Sequence, residues 1–346
     1  MRRFGTVIGS VTAGCLLAGC SALPSLPGLG KAAEPKAAPT PSSAAASPGA
    51  GRSVSDEEGG TIIADYIKRN NAANRARSEK LLAGFESGSS FAIDKAAYTS
   101  SRLLTKQAAY TYKPFVYTKP TFYAPPAGDA AWFLTTAHWQ RGKETAKEVT
   151  YLLFAREAAG WRQVYSPDSY EDAAGKLPDL KTDGTGSAAA VAQADGKGLL
   201  MSPADFARRY AAHLSGKGTA ADKTLFAADD ISTGAASNRA KMAQYAKLTE
   251  TVRPATRYPS YALRTADGGA LAFTTFQRDR RYDVRKGPQR NYVFQKDSGL
   301  LRGHYYNSMK MTELIQVAAH IPPNDGNPAQ VEVVAGYSGL TAGSGR

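Results

Sequence analysis

Residues able to do chemistry are few in this chain, which has two cysteines and four histidines in 346 residues. The best defined lies at the amino end. Leu17-Ala18-Gly19-Cys20 sets a thiol directly after small residues, the arrangement of the bacterial lipobox. In that signal the thiol is thioether-linked to diacylglycerol, and cleavage before it leaves the lipidated cysteine as the first residue. Arg2 and Arg3 supply a basic start, and Val7 to Gly19 is an uncharged run of about 13 residues, short of a membrane span. Together they make residues 1–19 an export signal peptide and Cys20 the acylated anchor in the bilayer. An ordinary secretory signal or an uncleaved amino-terminal anchor are the alternatives. Cys15 is set aside because the run before it, Thr12-Ala13-Gly14, lacks an aliphatic residue at the third position. No cysteine is left to form a disulfide in the mature chain.

Catalytic patterns are missing from the sequence. His138 shares a strand face with Trp132, Leu134 and Thr136 by alternation, but no acid or nucleophile is paired with it. His213, His304 and His320 show no metal-ligand spacing. Asp229-Asp230 reads as a helix cap. No phosphate loop, nucleophile elbow or zinc-binding HExxH is present, so the expectation is no enzyme, no cofactor and no metal.

Two binding candidates remain. Tyr110, Tyr112, Tyr117 and Tyr123 are interleaved with Lys113 and Lys119. They form either an aromatic recognition surface for glycan or peptide, or a half-buried strand with its hydroxyls at the rim. Between two expected strands, Gln277 to Arg290 carries Arg278, Arg280, Arg281, Arg285, Lys286 and Arg290 against two acids. This segment is expected to be an exposed basic hairpin tip for anionic lipid or a cell-wall polymer, or else a solvated loop. The formal charge is +13, and loss of the signal leaves +11. Nucleic acid would lie in the wrong compartment.

The elements behind these residues begin with a stalk over 20–55, rich in Pro, Ala, Ser and Gly, whose flexible reach is roughly 30–35 Å. Ser55-Asp56-Glu57-Glu58 then opens a helix, and Ser202-Pro203-Ala204-Asp205 opens another. Ala64 to Arg69 aligns with Ala204 to Arg209 at an offset of 140, Pro120-Thr121-Phe122 with Pro259-Ser260-Tyr261, and Phe154 to Glu157 with Phe294 to Asp297. These matches imply a duplicated unit. The expected fold class is α+β: tandem copies over 56–170 and 202–322, each with helices before an antiparallel sheet. A linker over 171–201 joins them, and 323–346 is a carboxy-terminal strand and flexible tail.

The lipobox, the Ala/Gly/Arg-rich usage and the duplication resemble secreted lipoproteins of high-GC actinobacteria. The run Leu152 to Tyr165 is similar to the last hairpin of nuclear-transport-factor-2-like domains, which implies helices wrapped on a cone-shaped sheet. The resulting expectation is a binding or scaffolding lipoprotein on the extracytoplasmic face of the cell membrane, with an envelope protein as a further possible partner. The alternatives are a pocket enzyme or small-molecule carrier on a cone-like fold, and a structural subunit of an envelope complex.

Overall fold

In the computed structural model the described residues are 51–104, 112–128, 131–170, 177–287 and 292–346, the side chains of 296 and 297 excepted. Cys20, the signal run, most of the stalk, Tyr110 and Arg290 lie outside them.

Three helices come first: α1 (Asp56–Ala76), α2 (Glu79–Leu82) and α3 (Gly88–Leu103). Ser55 caps α1 by accepting the Glu58 N–H at 3.1 Å, with three acids in the first turn where the helix dipole favours them. The strands β1 (Val116–Tyr123), β2 (Trp132–Arg141), β3 (Glu144–Thr145), β4 (Thr150–Glu157), β5 (Gly160–Tyr165) and β6 (Asp168–Ser169) follow. A second helical group comprises α4 (Pro203–Leu214), α5 (Ala220–Leu225) and α6 (Asp230–Met242). Ser202 caps α4 with Pro203 at its first position, and Asp229 caps α6, as its sequence context suggested. The chain closes with β7 (Ala246–Pro254), β8 (Tyr261–Arg264), β9 (Ala270–Val284), β10 (Val293–Ser298), β11 (Leu301–Tyr305), β12 (Ser308–Ile321) and β13 (Glu332–Gly345).

The architecture is α+β, built on one large antiparallel sheet in the order β1-β2-β4-β6-β13-β12-β9-β7, with β3, β5 and β8 attached at its sides. The sheet curls back on itself. β4 and β9 are four inter-strand steps apart, about 19 Å on a flat sheet, yet the rings of Tyr151 and Phe273 are 5.8 Å apart. Between the facing halves Leu134, Tyr151 and Leu153 meet Leu263, Leu271, Phe273 and Ala318 in one core. α1 covers Phe133, Leu152 and Phe154 on another face, and the α4 stripe of Phe206, Tyr210 and Leu214 covers Phe276 and Val317.

Five expectations need correction. The halves are not separate bodies, because β6 pairs with β13 through Ser169–Ala335 and Asp168–Gly336 and joins them in one sheet. The offset of 140 also misplaces the last hairpin: β4 lies within the large sheet, whereas β10–β11 form a separate two-stranded sheet, and β12 is the strand beside β9.

The described part of the supposed linker, 177–201, packs as a strap. The Ala188 N–H donates to Ala124 O, the Val191 N–H to Ala262 O, and Ala188, Val191, Leu199 and Met201 are buried. Its small side chains hid that burial. The folded body likewise starts before residue 56, since Ser53 donates to Pro125 O and Val54 is buried.

Over 323–346, expected as a strand followed by a flexible tail, the strand is β13 and it runs on to Gly345 in place of the tail. Its glycines are close-packing positions: a Cβ at Gly339 would strike Ile93 of α3, and one at Gly343 would strike Leu301 of β11.

Candidate binding surface

The basic segment is divided by the length of β9. Its strand geometry persists to Val284, so Arg278 and Arg280 share one face of β9 between Phe276 and Tyr282. Arg278 is only 8 % exposed, and its Nε and Nη2 donate to Glu313 Oε2 on β12 at 2.9 and 2.6 Å. Arg280 Nη2 donates to the same oxygen at 2.9 Å. Beside them Arg239 of α6 holds Glu250 at 2.7 Å, and Glu250 lies opposite Arg280 in the β7–β9 register. Burial alone would raise the Glu313 carboxyl, but the Arg278 and Arg280 guanidiniums outweigh it and hold that carboxyl below its ordinary value.

These two arginines are interior structure, not an exposed tip. Arg281 pairs with Asp283 at the surface, Arg285 Nε donates to Ala243 O, and Lys286 is exposed. Alternation along β9 was the available signal. It was masked because Glu313, the partner, lies 35 residues away.

The tyrosine segment also turns inward. The Tyr112 hydroxyl donates to Asn71 Oδ1, and the same Asn71 amide takes both the N–H and the O of Phe115, fastening this stretch to α1. Tyr117 packs on Tyr66, and burial pushes its phenol well up. Tyr123 packs half-buried against the inter-half core. Tyr117 and Tyr123 thus lie partly buried on β1, while Tyr112 precedes that strand and is partly buried against α1.

A surface that the sequence did not single out stands on β10–β11. Phe294 lies opposite His304 and Val293 opposite Tyr305. One face of the pair is buried: Val293, Leu301 and Tyr305 pack with Ala246, Tyr282 and Met309. The other carries Tyr292, Phe294, His304 and Tyr306, and the first, second and fourth are 42 %, 47 % and 41 % exposed. His304 sits 4.2 Å from Tyr292 and 4.8 Å from Phe294 between ring centroids, and Tyr292 is 6.0 Å from Tyr306.

Lys286 and Arg302 are exposed cations near this face in the chain. The hairpin turn is pinned to the end of α3, where the Gly299 N–H donates to Ser100 Oγ at 2.8 Å. Both faces of this hairpin are aromatic or apolar, so alternation alone could not say which one faces water. Its exposed face suits attachment to another surface, with rings for contact and cations for anionic groups.

Other titratable groups are enclosed. Glu86 is 2 % exposed beside Asp94, which accepts from the Tyr337 hydroxyl. Burial pushes Asp94 up to about 6, and burial together with the Asp94 charge pushes Glu86 well up. His138 Nδ1 contacts Glu148 O at 3.0 Å on its strand. Two open clefts lie on the helical side of the second half. One, of about 470 Å³, is lined by His213, Lys223, Ser232, Arg239 and Gln330, and one of about 330 Å³ by Arg208, Arg209, Lys217 and Asp222. Arg239 and Arg209 are already paired, with Glu250 and Asp222. Among the described residues no cluster of three His, Cys, Asp or Glu could hold a metal ion.

A family profile described as a domain of unknown function, DUF8094, matches residues 50–345. The chain belongs to that family. Its boundary falls where the folded body begins, at the end of the stalk. Two relatives from Streptomyces coelicolor are each named an uncharacterized lipoprotein. One is 27 % identical over 299 residues, covering 85 % of this chain and 86 % of the relative. The other is 28 % identical over 282 residues, covering 78 % and 75 %. No solved structure matches the chain. Similarity to these lipoproteins agrees with the lipobox reading of the amino end. Among the described residues no helix is long and apolar enough to cross a membrane.

Proposed function

We propose that this chain is a lipid-anchored, non-enzymatic binding module of the cell envelope. Cys20 carries the diacylglycerol on the extracytoplasmic face. Residues 21–50 tether the body, and the body presents the outer face of β10–β11 to an envelope ligand. The observation that carries the reading is the ring array of Tyr292, Phe294, His304 and Tyr306, held exposed on a hairpin whose reverse face is locked into a core. Clustered exposed rings are disfavoured in water unless something covers them. The lipobox and the lipoprotein relatives support the anchor.

Duplication belongs to the same reading. β1-β2-β4-β6 and β7-β9-β12-β13 each follow three helices and run from a sheet edge to its middle, where β6 and β13 meet antiparallel. That is the arrangement two copies would take about a two-fold axis, with β10–β11 an insertion peculiar to the second.

The test is sedimentation of the mature chain, with Cys20→Ser so that it carries no lipid, together with washed envelopes. It should bind, and Tyr292→Ser/Phe294→Ser/Tyr306→Ser should release it. Binding that survives the triple substitution would place the surface elsewhere.

A further inference from the structure

We propose that the outer face of β10–β11 is a membrane-docking surface, by which the tethered body lies against the anionic interface of the bilayer that holds its own anchor. This inference rests on the anchored-module reading and names the occupant of that surface.

The first argument is the chemistry of the face. Two tyrosines, a phenylalanine and a histidine are amphipathic or apolar rings of the kind that settle at headgroup level. Arg302 is exposed two residues before His304 on β11, Lys286 is exposed six residues before Tyr292 in the chain, and neither makes a described ion pair with an acid. Each cation near an anionic leaflet adds on the order of 1 kcal/mol.

The packing of the rings is the second argument. Here Phe294 lies over His304 with 29° between their planes, and Tyr292 meets His304 at 70°. The four rings contact one another and form one compact exposed cluster. Such a cluster can settle among headgroups as a unit.

Third, the tether brings the surface within reach. Cys20 and Gly51, where the described body begins, are 31 positions apart, a length over which a flexible chain would reach roughly 30 Å root-mean-square. That length holds the body at an effective concentration near the millimolar range relative to the leaflet. A weak intrinsic affinity is then enough to keep the face occupied and to fix the body's orientation. The hairpin suits this role because its turn is fastened to α3 at Ser100 and its inner face to Tyr282 and Met309.

The experiment uses the mature Cys20→Ser chain and vesicles of phosphatidylcholine with one third phosphatidylglycerol. Co-sedimentation should be clear at low salt and fall steeply as salt rises. Lys286→Gln/Arg302→Gln should weaken it about tenfold or more, and the Tyr292→Ser/Phe294→Ser/Tyr306→Ser chain should weaken it at least tenfold. Phe294→Trp serves as a second readout that needs no loss of the surface, since its added fluorescence should be quenched by brominated lipid. Absent binding at low salt, binding indifferent to the triple substitution, or an unquenched tryptophan at 294 would overturn the inference. If washed envelopes release the triple variant while pure vesicles bind neither chain, the binding-module reading stands and the bilayer is the wrong occupant.

Discussion

Replacing Glu313 with Gln keeps the shape of the side chain and removes the charge on which Arg278 and Arg280 converge. Side-chain exposure at the three positions is 10 %, 12 % and 12 %, and the contacts to Glu313 Oε2 are 2.6 and 2.9 Å. Water cannot take over for the lost carboxylate at such burial. Stranding charges of this kind costs about 3–5 kcal/mol. For a body of this size that corresponds to a fall in melting temperature of roughly 10 °C, measurable by scanning calorimetry.

The pH dependence has a defined sign. The folded Glu313 carboxyl titrates below its ordinary value. The stability it contributes is therefore full above the ordinary glutamate pKa of about 4.3, and is lost as pH falls through the lower folded value. The gap between parent and Glu313→Gln should be constant at neutral pH and shrink in that acid range. Converting the group together, Arg278→Met/Arg280→Met/Glu313→Leu, should be close to neutral, because apolar side chains of similar volume need no partner. A cost below about 1 kcal/mol for Glu313→Gln would show that these arginines reach solvent, and would restore the basic segment as surface.

Asp94 should behave in the opposite sense. Its folded pKa is raised to about 6, chiefly by burial, so the stability it lends below pH 4 is lost as pH climbs through 6. Asp94→Asn should therefore gain on the order of 2–3 kcal/mol at pH 8 and nothing at pH 4, read from melting temperature against pH. Gly299→Ala should drive a methyl into the Ser100 carbonyl oxygen and loosen the hairpin from α3. A loss of about 1–3 kcal/mol is expected, with faster amide exchange in β10–β11 and unchanged exchange in β9 and β12. Cys20→Ser should abolish fatty-acid incorporation in cells, whereas retained label would move the anchor to Cys15.

Much of this was readable locally. Ser55 and Ser202-Pro203 announced α1 and α4 because a cap is written within four residues. The face shared by Trp132, Leu134, Thr136 and His138 fell on β2, and the hairpin-like run Leu152 to Tyr165 fell on β4 and β5. What escaped depends on distant partners. Arg278 and Arg280 looked like a loop because a strand interior is not expected to be basic, and Glu313 supplies the reason only after β9 and β12 pair. The close packing of Gly339 and Gly343 went unread within a segment expected to be strand and tail, because it is set by Ile93 and Leu301 from elsewhere in the chain. The ring array on β10–β11 was hidden by symmetry of composition. Tyr292 and Phe294 alternate with the inward Val293, and only the docking of that side on Tyr282 and Met309 decides which face is left to solvent.

The account turns on whether that face is occupied in the cell. A photo-crosslinking side chain at Phe294 of the lipidated protein, compared with one at Leu81, which is equally exposed at 47 % on α2, tests this directly. Irradiation of intact cells should give crosslinks to envelope material at 294 and little at 81. Equal yields at the two positions, or none at 294, would contradict the account.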